Sequence, residues 1–372
     1  MTEDWVFVSH RLNLGARAVS AGYETVLITR CRSHQDIIES RGIRTCPIEV
    51  NRGGRGLFGL IREAARLFRI YRKEKFDLVC HVALRPMVVG ALAAKWFGQT
   101  RVVAALTGLG FLFTGERANS LFSRALGILL PWLLRHSLVV VQNRDDFEVL
   151  VRFGIDPGQM RIVRGAGVDI EKFKPMPEPS GPPVILLHAR MLWDKGVGEF
   201  VRAAEILKAR GCQARFVLVG EPDDQNPASV DRETWNSWKQ GRAVECLGQQ
   251  QEIHAILPHA SVVCLPSYRE GLPKSLLEAL ACGRPCVTTD TPGCREVVTD
   301  GLNGFLVPVK NAERLAEALE TLIRNPFLRA SMGKKGRERA VAEFDENIII
   351  LQMLGIYAEA LGERWAGERH SK

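Results

Sequence analysis

The sequence predicts an α/β protein made of two Rossmann-like domains, with parallel sheets facing an interdomain cleft. Short apolar, β-rich runs alternate with amphipathic helical stretches along the whole length, the sequence form of helices covering both faces of a parallel sheet. At 372 residues and 46% apolar side chains the chain is too long for one ordinary core, so two packed units are expected. The run Lys174-Pro175-Met176-Pro177-Glu178-Pro179-Ser180-Gly181-Pro182-Pro183 can continue neither a helix nor a central strand and reads as a break between them. The expected division is a first domain at 1–174, a linker at 175–183, a second domain at 184–345, and a helical segment at 346–372 that can return to the first domain.

In the first domain, strands are expected at Thr25 to Thr29, Leu78 to His81, Val102 to Leu106 and Leu138 to Gln142. Between the first two, Leu57, Leu60, Ile61, Ala64, Ala65 and Phe68 recur at helical spacing, with Arg62, Arg66, Arg69 and Arg72 elsewhere on the same helix. The second domain runs through strands Val184 to Leu187, Arg215 to Val219, Val244 to Leu247, Val262 to Leu265 and Cys286 to Thr289. Helices are expected near Val197 to Arg210 and Lys274 to Ala281. Ligands of such sheets bind at the C-terminal ends of the strands.

Composition narrows the function classes. The nine cysteines include no CxxC pair, so neither a disulfide framework nor a zinc site is indicated, and they read as small apolar residues in a reducing cytoplasm. Residues 1–175 hold 26 Lys+Arg against 16 Asp+Glu, a balance of +10, whereas the remainder is at −2. A basic first half suggests an anionic partner, whether nucleic acid, a membrane surface or a diphosphate-linked substrate; a merely solvated Arg-rich surface is the bland alternative. Against nucleic acid, the basic residues are not interleaved with stacking aromatics, which make up 7% of the chain. Against a nucleotide-dependent oxidoreductase, no GxGxxG follows an early strand.

The opening Met1-Thr2-Glu3-Asp4-Trp5 lacks the positive region and apolar run of a signal peptide, so a cytoplasmic protein is expected. The most apolar stretch, Leu121 to Gln142, is interrupted by Arg124, Pro131, Arg135 and His136 and falls short of the ~20 apolar residues that span a bilayer.

Chemistry is most legible in Ser267-Tyr268-Arg269-Glu270-Gly271-Leu272-Pro273-Lys274-Ser275-Leu276-Leu277-Glu278, which passes from a strand end through a tight loop into a helix. Gly271 permits close backbone approach and Pro273 suits the first helical turn, so the helix end can receive a diphosphate. Glu278 lies within an apolar helix and needs a partner if buried. Carboxylates accept pairs of sugar hydroxyls, which makes a ribose a sensible partner for Glu278 and a hexose for Glu270.

A second constellation, His188-Ala189-Arg190-Met191-Leu192-Trp193-Asp194-Lys195-Gly196, again joins a strand end to a helix. Arg190 and Lys195 there can neutralise a diphosphate, Arg by a forked contact and Lys as a compact charge. Two plain surface cations are the competing reading.

Glu270 and Glu278, eight residues apart around Gly271-Leu272-Pro273, together with Arg190 and Lys195-Gly196, resemble the retaining GT-B glycosyltransferases of family 4. Further points of likeness are Ser9-His10-Arg11-Leu12, Thr107-Gly108-Leu109-Gly110-Phe111, Gly167-Val168-Asp169, Pro292-Gly293-Cys294-Arg295-Glu296 and Gly301-Leu302-Asn303-Gly304. The resemblance implies a nucleotide-sugar donor, with Arg190 and Lys195 on the diphosphate, Glu278 on the ribose and Glu270 on the transferred sugar. It implies no metal and no cofactor, the cationic side chains and helix end taking the electrostatic task of Mg²⁺. Glu270, Arg190, Lys195 and His81 are the expected catalytic groups, with Gly271, Leu272 and Pro273 completing the donor loop. His81, at a strand end, resembles an active-site histidine on the acceptor domain; a histidine serving only packing fits the same position.

Asp4-Trp5, Ser9-His10-Arg11, Met191-Leu192-Trp193-Asp194-Lys195-Gly196 and Asn226-Pro227-Ala228-Ser229 resemble a bacterial subgroup that extends undecaprenyl-diphosphate-linked saccharides with N-acetylgalactosamine or a related hexose. That implies a lipid-linked glycan acceptor. The +10 balance, with Arg62, Arg66, Arg69, Arg72, Lys73 and Lys75 along one helical region, leads to the expectation of peripheral docking on the anionic inner-membrane surface, and no nucleic-acid partner is expected. The alternatives are a sugar-nucleotide epimerase of GT-B shape and a donor-binding protein impaired by truncation. In the family an apolar strand precedes the position of Thr2, so the further expectation is a natural start upstream of this Met1 and an unstable chain without it.

Overall fold

Strands that are apolar at every position suit a sheet covered on both faces, and Val102–Ala105 and Val262–Leu265 are buried throughout. The computed structural model describes residues 1–49, 57–98, 101–108, 121–224 and 226–363. Leu109, Gly110 and Phe111 of the glycine-rich motif, and the last residues of the C-terminal segment, lie outside them. The strands are β1 Val26–Thr29, β2 Arg44–Pro47, β3 Val79–Val82, β4 Val102–Ala105, β5 Ser137–Val141 and β6 Met160–Ile162. They continue with β7 Val184–His188, β8 Arg215–Val219, β9 Glu245–Cys246, β10 Val262–Leu265, β11 Cys286–Thr289 and β12 Gly304–Val307. Every strand pair is parallel.

The chain divides into two compact units, Met1–Ala166 with Asn347–Lys372, and Gly167–Glu346. The expected linker at 175–183 therefore lies inside the second unit. Buried Arg284 donates to the carbonyls of Met176 and Pro258, Arg329 pairs with Glu178 at 2.8 Å, and Arg337 donates to the carbonyls of Ile170, Phe173 and Ala281. Arg284 and Arg337 through backbone carbonyls, and Arg329 through the Glu178 carboxylate, tie residues 170–178 onto the helices and loops of that unit.

In the second unit the strand order is β12-β11-β10-β7-β8-β9, the doubly wound order, with its reversal between β7 and β10. Side chains alternate across the sheet. Ile185, Leu187 and Leu218 face a core with Phe200, Phe216 and Leu319, while Leu186, Val217 and Val263 face one with Leu276, Leu280 and Phe344. The helix Lys274–Ala281 is thereby fixed against the sheet by its apolar residues, with Glu278 among them.

The first unit carries β3-β4-β5-β6 as one sheet and β1-β2 as a separate pair. The C-terminal helix Glu346–Leu361 places Ile349, Ile350 and Met353 against Val103, Ala105 and Val140. Three strands were not expected from the sequence. β2 reads Arg44-Thr45-Cys46-Pro47, too polar to signal a strand; β6 has three residues; β12 opens on Gly304, where a Cβ would stand 1.9 Å from the Cys286 carbonyl oxygen. Among the described residues no helix is long and apolar enough to cross a membrane.

Candidate active site

The reversal of strand order leaves two loops side by side at the C-terminal ends of β7 and β10. After β7 the chain passes Arg190 and a 3₁₀ turn, Trp193–Lys195, into the helix Val197–Ala209. Gly196 has φ +70°, and a Cβ there would sit 2.0 Å from the Pro266 carbonyl oxygen, so only glycine lets the two loops meet. The Asp194 carbonyl accepts from Tyr268 N at 2.8 Å and Ser267 Oγ at 3.1 Å. A third loop closes in through Gly293, at φ +80°, whose Cβ would stand 2.4 Å from the Gly271 oxygen and 2.7 Å from that of Glu270.

This fastening brings Lys195 Nζ to 2.6 Å from Glu270 Oε1, with 19% and 13% of the two side chains exposed. Gly271 and Leu272 follow directly. Pro273 caps the helix Lys274–Ala281 with an extended backbone, φ −73° and ψ 113°, one position before the first turn in which it was expected.

Glu278 is buried, and among the described residues the nitrogens within ion-pair range are Lys274 Nζ at 3.8 Å and His188 Nδ1 at 3.9 Å, both too far for a hydrogen bond. Desolvation raises its carboxyl to about 7, with Lys274 and Lys172 pulling weakly the other way. Burial, assisted by the Lys274 charge, depresses His188 to about 4, so its imidazole is neutral near pH 7 and the contact with Glu278 is not an ion pair. A buried carboxyl of this kind is suited to accept from hydroxyl donors.

Arg190 is half exposed, and its Nη1 lies 3.4 Å from Asp223 Oδ2. Asp223 N in turn donates to Ser229 Oγ at 2.9 Å, and Trp193 N donates to Ala228 O at 2.9 Å, so the Asn226-Pro227-Ala228-Ser229 motif braces the loop carrying Arg190.

His81 belongs to the first unit, in β3. Its ring is buried beneath Tyr71, Oη to Nε2 3.0 Å, and against Gly90, where a Cβ would stand 2.4 Å from the ring. Burial pushes it down to about 3, so it is uncharged at neutral pH. The sequence reading thus yields Lys195, Glu270, Gly271, Leu272, Pro273 and Glu278 around one sheet end in the second unit, with Arg190 on the adjoining loop. It assigns no role to His188 or Gly293, although both stand in motifs it singles out, and it misses Asp223, which has no local signal.

Comparison with known proteins bears on this arrangement. The family described as glycosyl transferases group 1 matches residues 168–339, and the glycosyl transferase 4-like family matches residues 1–143. A Campylobacter jejuni protein, N,N'-diacetylbacillosaminyl-diphospho-undecaprenol alpha-1,3-N-acetylgalactosaminyltransferase, is 31% identical over 333 residues, covering 85% of this chain and 86% of its own. The chain belongs to the group 1, 4-like glycosyltransferases. This glycosyltransferase also resembles the Escherichia coli UDP-Gal:alpha-D-GlcNAc-diphosphoundecaprenol alpha-1,3-galactosyltransferase, 26% identical over 75% of this chain and 74% of that one. Its GT-B fold is shared with sucrose-phosphate synthase from Thermosynechococcus elongatus, with TM-score 0.80 and 23% identity over 94% and 92% of the two chains. Anabaena HepE, solved in complex with UDP and glucose, superposes with TM-score 0.75 and 19% identity over 94% and 95%.

Proposed function

We propose that this glycosyltransferase moves a hexosyl or N-acetylhexosaminyl group from a UDP-sugar (UDP-GalNAc, UDP-GlcNAc or a UDP-hexose) to a polyprenyl-diphosphate-linked saccharide. The setting is assembly of cell-surface polysaccharide or glycoconjugate. The observation that carries the reading is the Lys195–Glu270 pair at the strand-order reversal, with Glu270 in the loop that leads into the helix of the buried Glu278. Support for the acceptor class comes from the Campylobacter and Escherichia relatives, whose names both specify a diphospho-undecaprenol acceptor.

In this reading Glu278 accepts the ribose hydroxyls, Glu270 positions the transferred sugar, and Lys195 and Arg190 stabilise the diphosphate. The bond from C1 to the diphosphate oxygen breaks as the acceptor oxygen bonds C1 on the same face. The acceptor's proton passes to the departing diphosphate, so configuration is retained and no protein nucleophile is needed. Lysine and arginine carry the growing charge, and no metal takes part. His81, neutral and enclosed, orients β3 rather than moving a proton.

The test is incubation with a panel of UDP-sugars, with and without a polyprenyl-diphosphate saccharide, followed by mass and anomeric analysis of the product. A lipid-linked product of retained configuration is expected. Inverted product, or turnover of the donor to its epimer without acceptor, counts against the reading.

We further propose that the first unit rests on the anionic face of the inner membrane. Trp96, Ile128, Leu129 and Trp132 are exposed there, Lys95 Nζ lies 4.7 Å above the Trp132 ring, and Arg62, Arg69, Arg72 and Lys73 are exposed on the helix Leu57–Glu74. Interfacial aromatics beside cations suit an anionic lipid surface. Binding to anionic but not neutral vesicles, lost in Ile128→Asp/Trp132→Asp and weakened by salt, is expected; equal binding to both vesicle types would reject it.

A further inference from the structure

Between β8 and the helix Arg232–Gln240 the chain places two adjacent acids, Asp223 and Asp224, beside the loop that carries Arg190. Carboxylates there oppose an anion at Arg190 by plain repulsion, so their presence needs a reason. Each is matched to one cation. Asp224 takes Arg232, whose Nε and Nη2 reach its two oxygens at 3.0 and 2.7 Å. Asp223 takes Arg190, with Nη1 at 3.4 Å from Oδ2, and among the described residues it is the hydrogen-bonding partner of that guanidinium.

Backbone contacts fix where Asp223 stands. Its N–H donates to Ser229 Oγ at 2.9 Å, and its carbonyl accepts from Asn226 N at 2.7 Å. Asn226 in turn accepts from Ala228 N at its Oδ1 and from Ser229 N at its carbonyl, both at 3.0 Å, so the turn closes on itself. It is also stitched to the residues that follow Arg190. Met191 N donates to Glu221 O at 3.1 Å, Val230 N to Met191 O at 2.9 Å, and Leu192 is bridged to Ser229 in antiparallel fashion. The backbones behind Arg190 and Asp223 are thereby locked to one another.

An exposed ion pair adds little to stability, and here the arginine side chain is 50% exposed and the carboxylate 28%. The network therefore acts on the place of the guanidinium more than on the fold. A long arginine side chain loses rotamer freedom when it meets a ligand, and a fixed partner removes part of that loss beforehand. One of its five N–H donors engaged by Asp223 leaves the others for an anion.

We propose that Asp223 is a positioning residue for the transfer reaction, holding the Arg190 guanidinium in place for the donor's diphosphate; this rests on the reading that puts that diphosphate on Arg190. Asp223 touches no reacting atom in this scheme. Its charge opposes ground-state binding of the anion, whereas the guanidinium it fixes acts most strongly as charge grows on the leaving diphosphate. Removing the carboxylate therefore lowers kcat and does not raise KM.

The test is a double-mutant cycle of Asp223→Ala and Arg190→Ala, with Asp223→Asn beside it, on the UDP-sugar and polyprenyl-diphosphate saccharide that the wild type turns over. Asp223→Ala is expected to lower kcat about 10-fold, with KM for the UDP-sugar unchanged or lower. In the Arg190→Ala background the same substitution is expected to change kcat by less than about 2-fold, because no guanidinium is left to hold. Asparagine keeps an acceptor at Oδ1, and Asp223→Asn is expected to stay within about 3-fold of the wild-type kcat. Equal losses with and without Arg190, or an Asp223→Ala chain that does not fold, give Asp223 an independent or structural role and overturn the proposal. Wild-type kinetics in Asp223→Ala beside an impaired Arg190→Ala overturns it too, and leaves Arg190 on the diphosphate. Wild-type kinetics in Arg190→Ala removes Arg190 from the diphosphate, and the proposal with it.

Discussion

Lys195 Nζ stands 2.6 Å from Glu270 Oε1, joining the loop after β7 to the loop after β10 across the reversal of strand order. The pair is enclosed enough that each partner depends on the other, and breaking one half leaves a charge uncompensated. In the proposed reaction the lysine also meets charge growing on the leaving group. Lys195→Ala is expected to lower kcat/KM by about 10²- to 10³-fold while the circular dichroism spectrum stays unchanged. Steady-state kinetics on a UDP-sugar check this, and wild-type kinetics in the variant would remove Lys195 from the site.

Glu278 and His188 make opposing contributions to stability. Burial raises the Glu278 carboxyl from 4.5 to about 7, so between those values the folded state holds a proton that the unfolded state has lost, and this contribution falls as pH rises. His188 is depressed from 6.5 to about 4, so in that window the unfolded state holds the extra proton and its contribution rises with pH. Glu278→Gln leaves the rising slope alone. Relative to the wild type, its unfolding free energy is expected to gain up to about 3 kcal/mol between pH ~4.5 and ~7, measured by denaturant titration. UDP affinity in the wild type is expected to rise through pH ~7 as the carboxylate forms, and to stay flat in the variant.

Gly293 holds the loop after β11 against the backbone of Glu270 and Gly271. Gly293→Ala introduces a Cβ where no flexible side chain can yield, at a positive φ. A loss of roughly 2 kcal/mol or more is expected, together with an activity loss well below Tm that exceeds the unfolded fraction. Thermal denaturation and kinetics on the same preparation separate the two.

Ala83 sits at φ +75° and ψ 159°, a conformation suited to glycine, where β3 turns into the helix Leu84–Phe97. Its N–H is fixed to Ala105 O at 2.9 Å, which holds the strained backbone in place. Ala83→Gly is expected to raise stability by about 1 kcal/mol, read as an upward shift in Tm. An unchanged or lower Tm would show that the junction relaxes without strain.

If lysine and arginine supply the positive charge at the diphosphate, transfer proceeds in excess chelator. Activity in EDTA equal to the untreated rate is the expected outcome. Loss that Mg²⁺ or Mn²⁺ restores would replace the cationic side chains with a metal in the mechanism.

Lys195 and Glu270, 75 positions apart, were legible because each is a charge at the end of an apolar run that feeds a helix, and such ends converge in a parallel sheet. Glu278 was legible as an acid inside an apolar helix. The partners that set their geometry were not. Asp223, and Gly293 although it stands in a recognised motif, act through contacts that only the folded chain creates, and the proline-rich segment 175–183 reads as a break because the arginines that anchor this region, Arg284, Arg329 and Arg337, lie over a hundred residues away. Placing His81 at a strand end was straightforward; its enclosure beneath Tyr71 depended on a helix docking on β3.

The two crossings between units run hydrogen-bonded side by side, Val168 N to Phe344 O at 2.8 Å and Glu346 N to Val168 O at 3.0 Å. Topologically the second unit is therefore an insert whose entrance and exit share a doorway. Residues 167–346 form one contiguous, excisable module, while no single cut yields the first unit, because its core needs Ile349, Ile350 and Met353 from beyond the insert. A short bridge from Ala166 to Asn347 would close the first unit, and the corresponding units of related chains could then be exchanged through that doorway as cassettes.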